Sequence, residues 1–205
     1  NTRPPLLFVH GGYSNAALWG VRFIPHFQDL GYDCYALELS GHGSRPADRA
    51  HLDDFGIDDY VADLAAAVAS LPAAPVLIAH SMGCLVSQRF LERGTARAVA
   101  FLAPVPPTGT GGTVSRFALT MPDFFAELPN AVNGTASEKT MRTMARVYFS
   151  PSMAPEESIQ YLPLIQPESE KAVAEMLTAP FRIVRGRARI PALVMGGSDD
   201  QVFPA

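Results

Sequence analysis

Ser81 is the residue of this chain whose setting best suits covalent chemistry. Val76-Leu77-Ile78-Ala79, an apolar run of β character, leads through His80 into it, and Met82-Gly83-Cys84 follows with an amphipathic run of Leu85, Val86, Phe90 and Leu91. The pattern predicts strand, sharp turn and helix, with the serine on the turn. A residue on so tight a corner is forced to positive φ, and the residues two before and two after it must be small to clear the neighbouring backbone. Ala79 and Gly83 meet that need. The corner would lift the hydroxyl clear of the sheet and aim the Met82 amide at any oxygen turning negative beside it. Acyl transfer by such a serine also needs a base, a group to orient the base, and further donors for the oxyanion.

Three more stretches bear on those needs. His10-Gly11-Gly12-Tyr13 ends the apolar run Leu6-Leu7-Phe8-Val9. Leu39-Ser40-Gly41-His42-Gly43-Ser44-Arg45-Pro46 ends a second run, and Met195-Gly196-Gly197-Ser198-Asp199-Asp200-Gln201-Val202-Phe203-Pro204 ends the last one. Together with Ala79-His80-Ser81-Met82-Gly83, these resemble the α/β-hydrolase family, whose nucleophile elbow reads G-x-S-x-G. Here the first glycine of the elbow is alanine, and Glu38 stands where the family's D-x-P-G-H-G-x-S loop has aspartate.

The resemblance implies a three-layer α/β sandwich with a mostly parallel sheet and an inserted helical cap. It implies Ser81 as nucleophile, the backbone N–H groups of Gly12 and Met82 as the oxyanion hole, and Asp200, rather than its neighbour Asp199, as the acid. The G-H-G loop is structural in the family and takes no chemical role here. A serine at the elbow disfavours the dehalogenases and epoxide hydrolases that use aspartate there. The expected activity is hydrolysis of a small-molecule carboxylic ester or related acyl compound. Thioesterase, lactonase, C–C hydrolase, perhydrolase and acyltransferase activities stay open, as does a ligand-binding protein without turnover, because fold does not fix substrate.

The base is the gap. The chain has five histidines, His10, His26, His42, His51 and His80, and all precede Asp200. A residue next to the nucleophile points away from it, which disfavours His80. His10 is expected to brace the oxyanion loop, and His26 and His51 sit in surface-like segments. The base is therefore expected on residues following Ala205, with a pseudoenzyme as the other reading.

Five short apolar runs read as strands buried on both faces: Leu6–Val9, Asp33–Leu39, Val76–Ala79, Ala98–Ala103 and Ala192–Met195. Helical spacing covers 16–30, 57–71 and the stretch from the elbow to Gly94. From Pro104 to Arg189 no strand is expected. Helices over 137–150 and 167–177 and a glycine-rich hinge at Thr108–Gly112, with no helix start after it, make this the cap. The expected organisation is core 1–107, cap 108–189 and core 190–205. Of the cap's Met and aromatic residues, Phe124, Phe125, Met144 and Tyr148 are expected to join Tyr13 in lining an apolar-leaning pocket. Arg182, Arg185, Arg187 and Arg189 read as a solvated basic run.

A hydrophobic content of 48% over 205 residues supplies a full core, and a net charge of −4 argues against nucleic acid as a partner. No apolar run approaches the roughly 20 residues of a membrane span. No metal cluster or nucleotide fingerprint is visible, so no cofactor is implied, and the oligomeric state is left open. Cys34 and Cys84 read as buried free thiols of a reducing compartment, hence a cytoplasmic protein.

Overall fold

The computed structural model of the protein describes residues 3–43, 49–178 and 190–204. Five strands, β1 (Leu6–Val9), β2 (Cys34–Leu37), β3 (Val76–His80), β4 (Ala98–Leu102) and β5 (Ala192–Met195), form one sheet in the order β2-β1-β3-β4-β5, every pair parallel. Each parallel pair demands a crossover, and the helices supply it. The side chains of β1 alternate between the two faces. Leu7 and Val9 pack with α3 (Ile57–Ser70) and α4 (Met82–Leu91), whereas Leu6 and Phe8 pack with Trp19 of α1 (Ala17–Gly20) and with Ile24 and Phe27 of α2 (Phe23–Asp29). Apolar residues on both faces of the central strands thus produce the three layers.

The sequence predicts one helix over 16–30, but the chain forms two, α1 and α2, broken at Arg22 (φ −139°). Pro25 is the reason. Its ring would clash with the Val21 carbonyl in a continuous helix, so the second helix restarts with the proline in its first turn.

Between β4 and β5 the described residues contain no strand. They fold as α5 (Gly111–Thr120), α6 (Pro122–Val132), α7 (Glu138–Tyr148), α8 (Pro155–Ile159) and α9 (Glu170–Leu177). Two details depart from expectation. A helix does begin in the glycine-rich stretch, at Gly111, after Gly109 turns the chain at φ +83°. The last helix starts at Glu170 rather than Pro167, because Ser169 caps it by accepting the Ala172 N–H at 3.2 Å. Helices α5, α6 and α7 build a core of their own from Phe117, Met121, Phe124, Met144 and Val147. Helix α9 instead sends Ala172 and Met176 into the main core. The expected boundary at residue 189 and the four arginines lie outside the described residues.

Strand β5 is a sheet edge, paired with β4, and its Leu193, Val194 and Met195 are 54%, 64% and 51% exposed rather than buried. Cys34 is half-buried and Cys84 buried, and both thiols are free. No helix of the described residues is long and apolar enough to cross a membrane.

Candidate active site

Strands β1 and β3 are neighbours in register, Val9 opposite Ala79, so their C-terminal loops emerge side by side. Ser81 sits between β3 and α4 at φ +52° and ψ −118°. It is the tight corner expected from the sequence. Gly83 shows why this position must lack a side chain: a Cβ there would lie 2.5 Å from the His10 carbonyl oxygen and 2.6 Å from that of Val9. A Cβ on Gly11 would meet the Ser81 Cβ and His80 Nδ1, each at 2.9 Å. The two loops therefore touch backbone to backbone. Gly83→Ala is expected to cost about 3 kcal/mol or more of stability, since the obstructing atoms are backbone atoms of Val9 and His10 and cannot rotate away. Gly112→Ala, in helix α5 with open space around it, should be neutral or stabilising by up to about 1 kcal/mol. Urea denaturation of both variants checks the contrast.

Ser81 opens on a cavity of about 360 Å³ with Gly12, His80, Ala103, Tyr148, Ser150, Ser198, Asp199 and Asp200 in its wall. A second, more apolar cavity of about 280 Å³ shares Gly12, His80, Tyr148 and Phe149 with it and adds Tyr13, Leu18, Trp19, Phe23 and Leu164. Among the described residues, the non-glycine residues at positive φ are Tyr13 (+59°), Ser81 (+52°) and Ala103 (+46°). All three line these two cavities. Strain of this kind costs on the order of 1–3 kcal/mol per residue and clusters where geometry serves a site.

Of the residues expected to do chemistry, Gly12, Ser81 and Asp200 line one cavity, and Met82, next to Ser81, is the first residue of α4. One Asp200 oxygen, Oδ1, accepts the N–H groups of Val202 at 2.7 Å and Phe203 at 2.9 Å, which fixes the carboxylate on its turn. Tyr13 lines the second cavity and Tyr148 lines both. Phe124, Phe125 and Met144 line neither. Met144 is fully buried in the core of α5, α6 and α7, Phe124 packs edge-on against Tyr148 at 6.1 Å, and Phe125 is 39% exposed with its ring 5.4 Å from that of Phe124. Helices α5, α6 and α7 need Phe124 and Met144 for one another, and that packing takes precedence over the pocket.

The histidines fall into three settings. His26 and His51 are exposed, and His80 lies beside Ser81 in the cavity wall. His10 and His42 are fully buried. The His10 Nδ1–H donates to the Gly11 carbonyl at 2.8 Å while Nε2 accepts the Leu39 N–H at 3.3 Å, an arrangement that requires the neutral ring. Burial first and the nearby His42 second push its pKa down from 6.5 to about 4. Its 3.5 Å approach to Glu38 is consequently not an ion pair. The unfolded chain protonates this histidine below about 6.5 and the folded chain only below about 4, so stability falls as pH drops through that window. The loss is roughly 3 kcal/mol. His10→Asn should remove that part of the pH dependence, as urea unfolding at pH 7 and pH 4.5 would show.

Cys84 is no rival nucleophile. Its thiol donates to the carbonyls of Ala79 at 3.2 Å and Leu102 at 3.5 Å, and burial pushes its pKa up to about 12.

The sequence reading missed Glu168. This carboxylate, from the segment between β4 and β5, is 7% exposed and lies against the loop that follows β1. His42 Nε2 donates to it at 3.0 Å, the Tyr60 hydroxyl at 2.8 Å, the Tyr13 N–H at 3.3 Å and the Ser169 N–H at 2.8 Å. No sequence signal marks it, since Gln166-Pro167-Glu168-Ser169-Glu170 reads as an ordinary polar helix start.

Among the described residues no group of three or more His, Cys, Asp or Glu side chains could hold a metal ion. The family model described as alpha/beta hydrolase family matches residues 6–205. The chain belongs to the alpha/beta hydrolase family. No curated protein sequence matches it. Among solved structures, the chain is similar to an esterase from Exiguobacterium antarcticum, at 16% identity over 98% of this chain and 76% of that one, with a TM-score of 0.73. It is also similar to a bromoperoxidase from Bacillus anthracis, at 19% identity over 100% and 77%, TM-score 0.67. An extracellular alpha/beta-hydrolase from a Paenibacillus species matches at 16% identity over 98% and 81%, TM-score 0.69. At these identities the likeness to solved structures is one of fold.

Proposed function

We propose that this alpha/beta hydrolase is a serine hydrolase that cleaves a carboxylic ester or related acyl compound through an acyl-enzyme. The observation that carries the reading is the strained Ser81 corner, open to a cavity it shares with Gly12 and Asp200. In this mechanism the Ser81 Oγ attacks the substrate carbonyl and passes its proton to an imidazole. The Gly12 and Met82 N–H groups receive the oxygen that becomes negative, each worth on the order of 10²–10³ in rate. The imidazolium then protonates the departing alcohol, and water activated by the same imidazole releases the acid. Asp200 holds the imidazole in the required tautomer. None of the five histidines of the sequence fills the role of base. His10 and His42 are locked in buried hydrogen bonds, His26 and His51 are on the surface, and His80 adjoins the nucleophile.

The helices between β4 and β5 act as the cap over the cavity. The apolar lobe, with Leu18, Trp19, Phe23 and Leu164, suits the apolar part of the substrate, and the lobe carrying Ser198, Asp199 and Asp200 suits its polar part. Incubating the complete gene product with p-nitrophenyl esters of increasing acyl length tests this. Hydrolysis of short and medium chains supports it. Tight binding of such ligands without turnover would indicate a ligand-binding protein instead.

A further inference from the structure

Tyr13 is held from both sides by one short piece of the inserted segment. Its N–H donates to Glu168 Oε2 at 3.3 Å, and its carbonyl accepts the Gln166 N–H at 3.0 Å. The Gln166 side-chain oxygen in turn accepts from Asn15 Nδ2 at 3.1 Å and from the Gly43 N–H at 3.2 Å. Tyr13 is also the non-glycine residue at φ +59°, a conformation that persists only where surroundings over-determine it. These four hydrogen bonds are that over-determination.

The carboxylate itself is fixed. Oε1 accepts from Tyr60 and Ser169, and Oε2 accepts from His42 and Tyr13, so each oxygen serves two donors. His42 donates through both ring nitrogens, Nε2 to Glu168 and Nδ1 to the Ser40 carbonyl at 3.1 Å. A ring with two donors is an imidazolium, so the buried pair is charged. Burial opposes both charges but is outweighed, in His42 by the bond to Glu168 and in Glu168 by the bond to His42.

We propose that Glu168 is a positioning residue that acts through Tyr13: it draws the Tyr13 N–H away from Ser81 and so holds the preceding Gly12 N–H at the cavity wall. One segment of the cap would then set the oxyanion-side loop of the core. The kinetic half of this proposal rests on Ser81 being the nucleophile, whereas the structural half does not.

Glu168→Gln in the complete gene product tests both halves. The amide keeps the shape but presents an NH₂ group where two donors already point. Amide hydrogen exchange at Tyr13 and Gln166 should accelerate at least about tenfold, with β1 and β3 unchanged. For p-nitrophenyl acetate, kcat should fall on the order of 10- to 100-fold, less than for a lost donor, with KM within about threefold. Tyr60→Phe, which removes one donor and keeps the ring, should give a smaller change of the same kind, and it decides the matter if the first variant does not fold. Unchanged exchange at Tyr13, or acceleration spread equally over the whole sheet, would overturn the proposal. So would a rise in KM with kcat intact. If the wild-type protein hydrolyses no ester, the proposed function fails while the exchange result still decides whether Glu168 clamps the loop.

Discussion

Ser81→Ala should abolish ester hydrolysis, lowering kcat on the order of 10⁶-fold, the scale on which removal of a serine nucleophile acts elsewhere. The fold should survive it. Alanine keeps the Cβ and the backbone at φ +52°, so the corner is no more strained than before. Ser81→Gly, by contrast, relieves that strain and should stabilise the protein by about 1 kcal/mol while being equally inactive. Progress curves with p-nitrophenyl acetate and urea denaturation of the two variants separate chemistry from folding. Residual activity within tenfold of wild type would remove Ser81 from the mechanism.

Asp200→Asn should be the next most damaging change, at about 10⁴-fold in kcat, because an acid of this kind acts by fixing the tautomer of the base. The structure makes this a clean substitution. Oδ1 already accepts the Val202 and Phe203 N–H groups, and asparagine can keep both bonds with its carbonyl oxygen. Only the other oxygen changes, from acceptor to donor. Asp199→Asn, one residue earlier on the same cavity wall, should cost kcat at least about tenfold less than Asp200→Asn, with its effect falling on KM. Steady-state kinetics on the pair would test the assignment, and the reverse pattern would move the acid to Asp199.

How far the sequence could be read depended on whether the information was local. The elbow was legible because its demands are local: a strand period, a corner, and small residues two away on either side. Gly83, wedged against the carbonyls of Val9 and His10, shows the constraint at work. The parallel sheet was legible for a similar reason, since its central strands are continuous apolar runs. Pro25 broke the first helix for a local cause that helical spacing alone did not weigh. The pocket was harder. Tyr13 and Tyr148 reach the cavities, but Phe124 and Met144 are spent on the core of α5, α6 and α7, and Phe125 is left partly exposed. Composition cannot tell an aromatic that faces a cleft from one that fills the helix bundle behind it. Glu168 was illegible for a deeper reason: its partners His42, Tyr60 and Tyr13 lie 126, 108 and 155 residues away along the chain. Only the folded topology brings the four together.

The most direct test of the account is covalent. The complete gene product, treated with a fluorophosphonate and digested, should carry a single adduct by mass spectrometry, on the peptide containing Ser81. An adduct on any other residue, or none under conditions where a known serine esterase is fully modified, would contradict it.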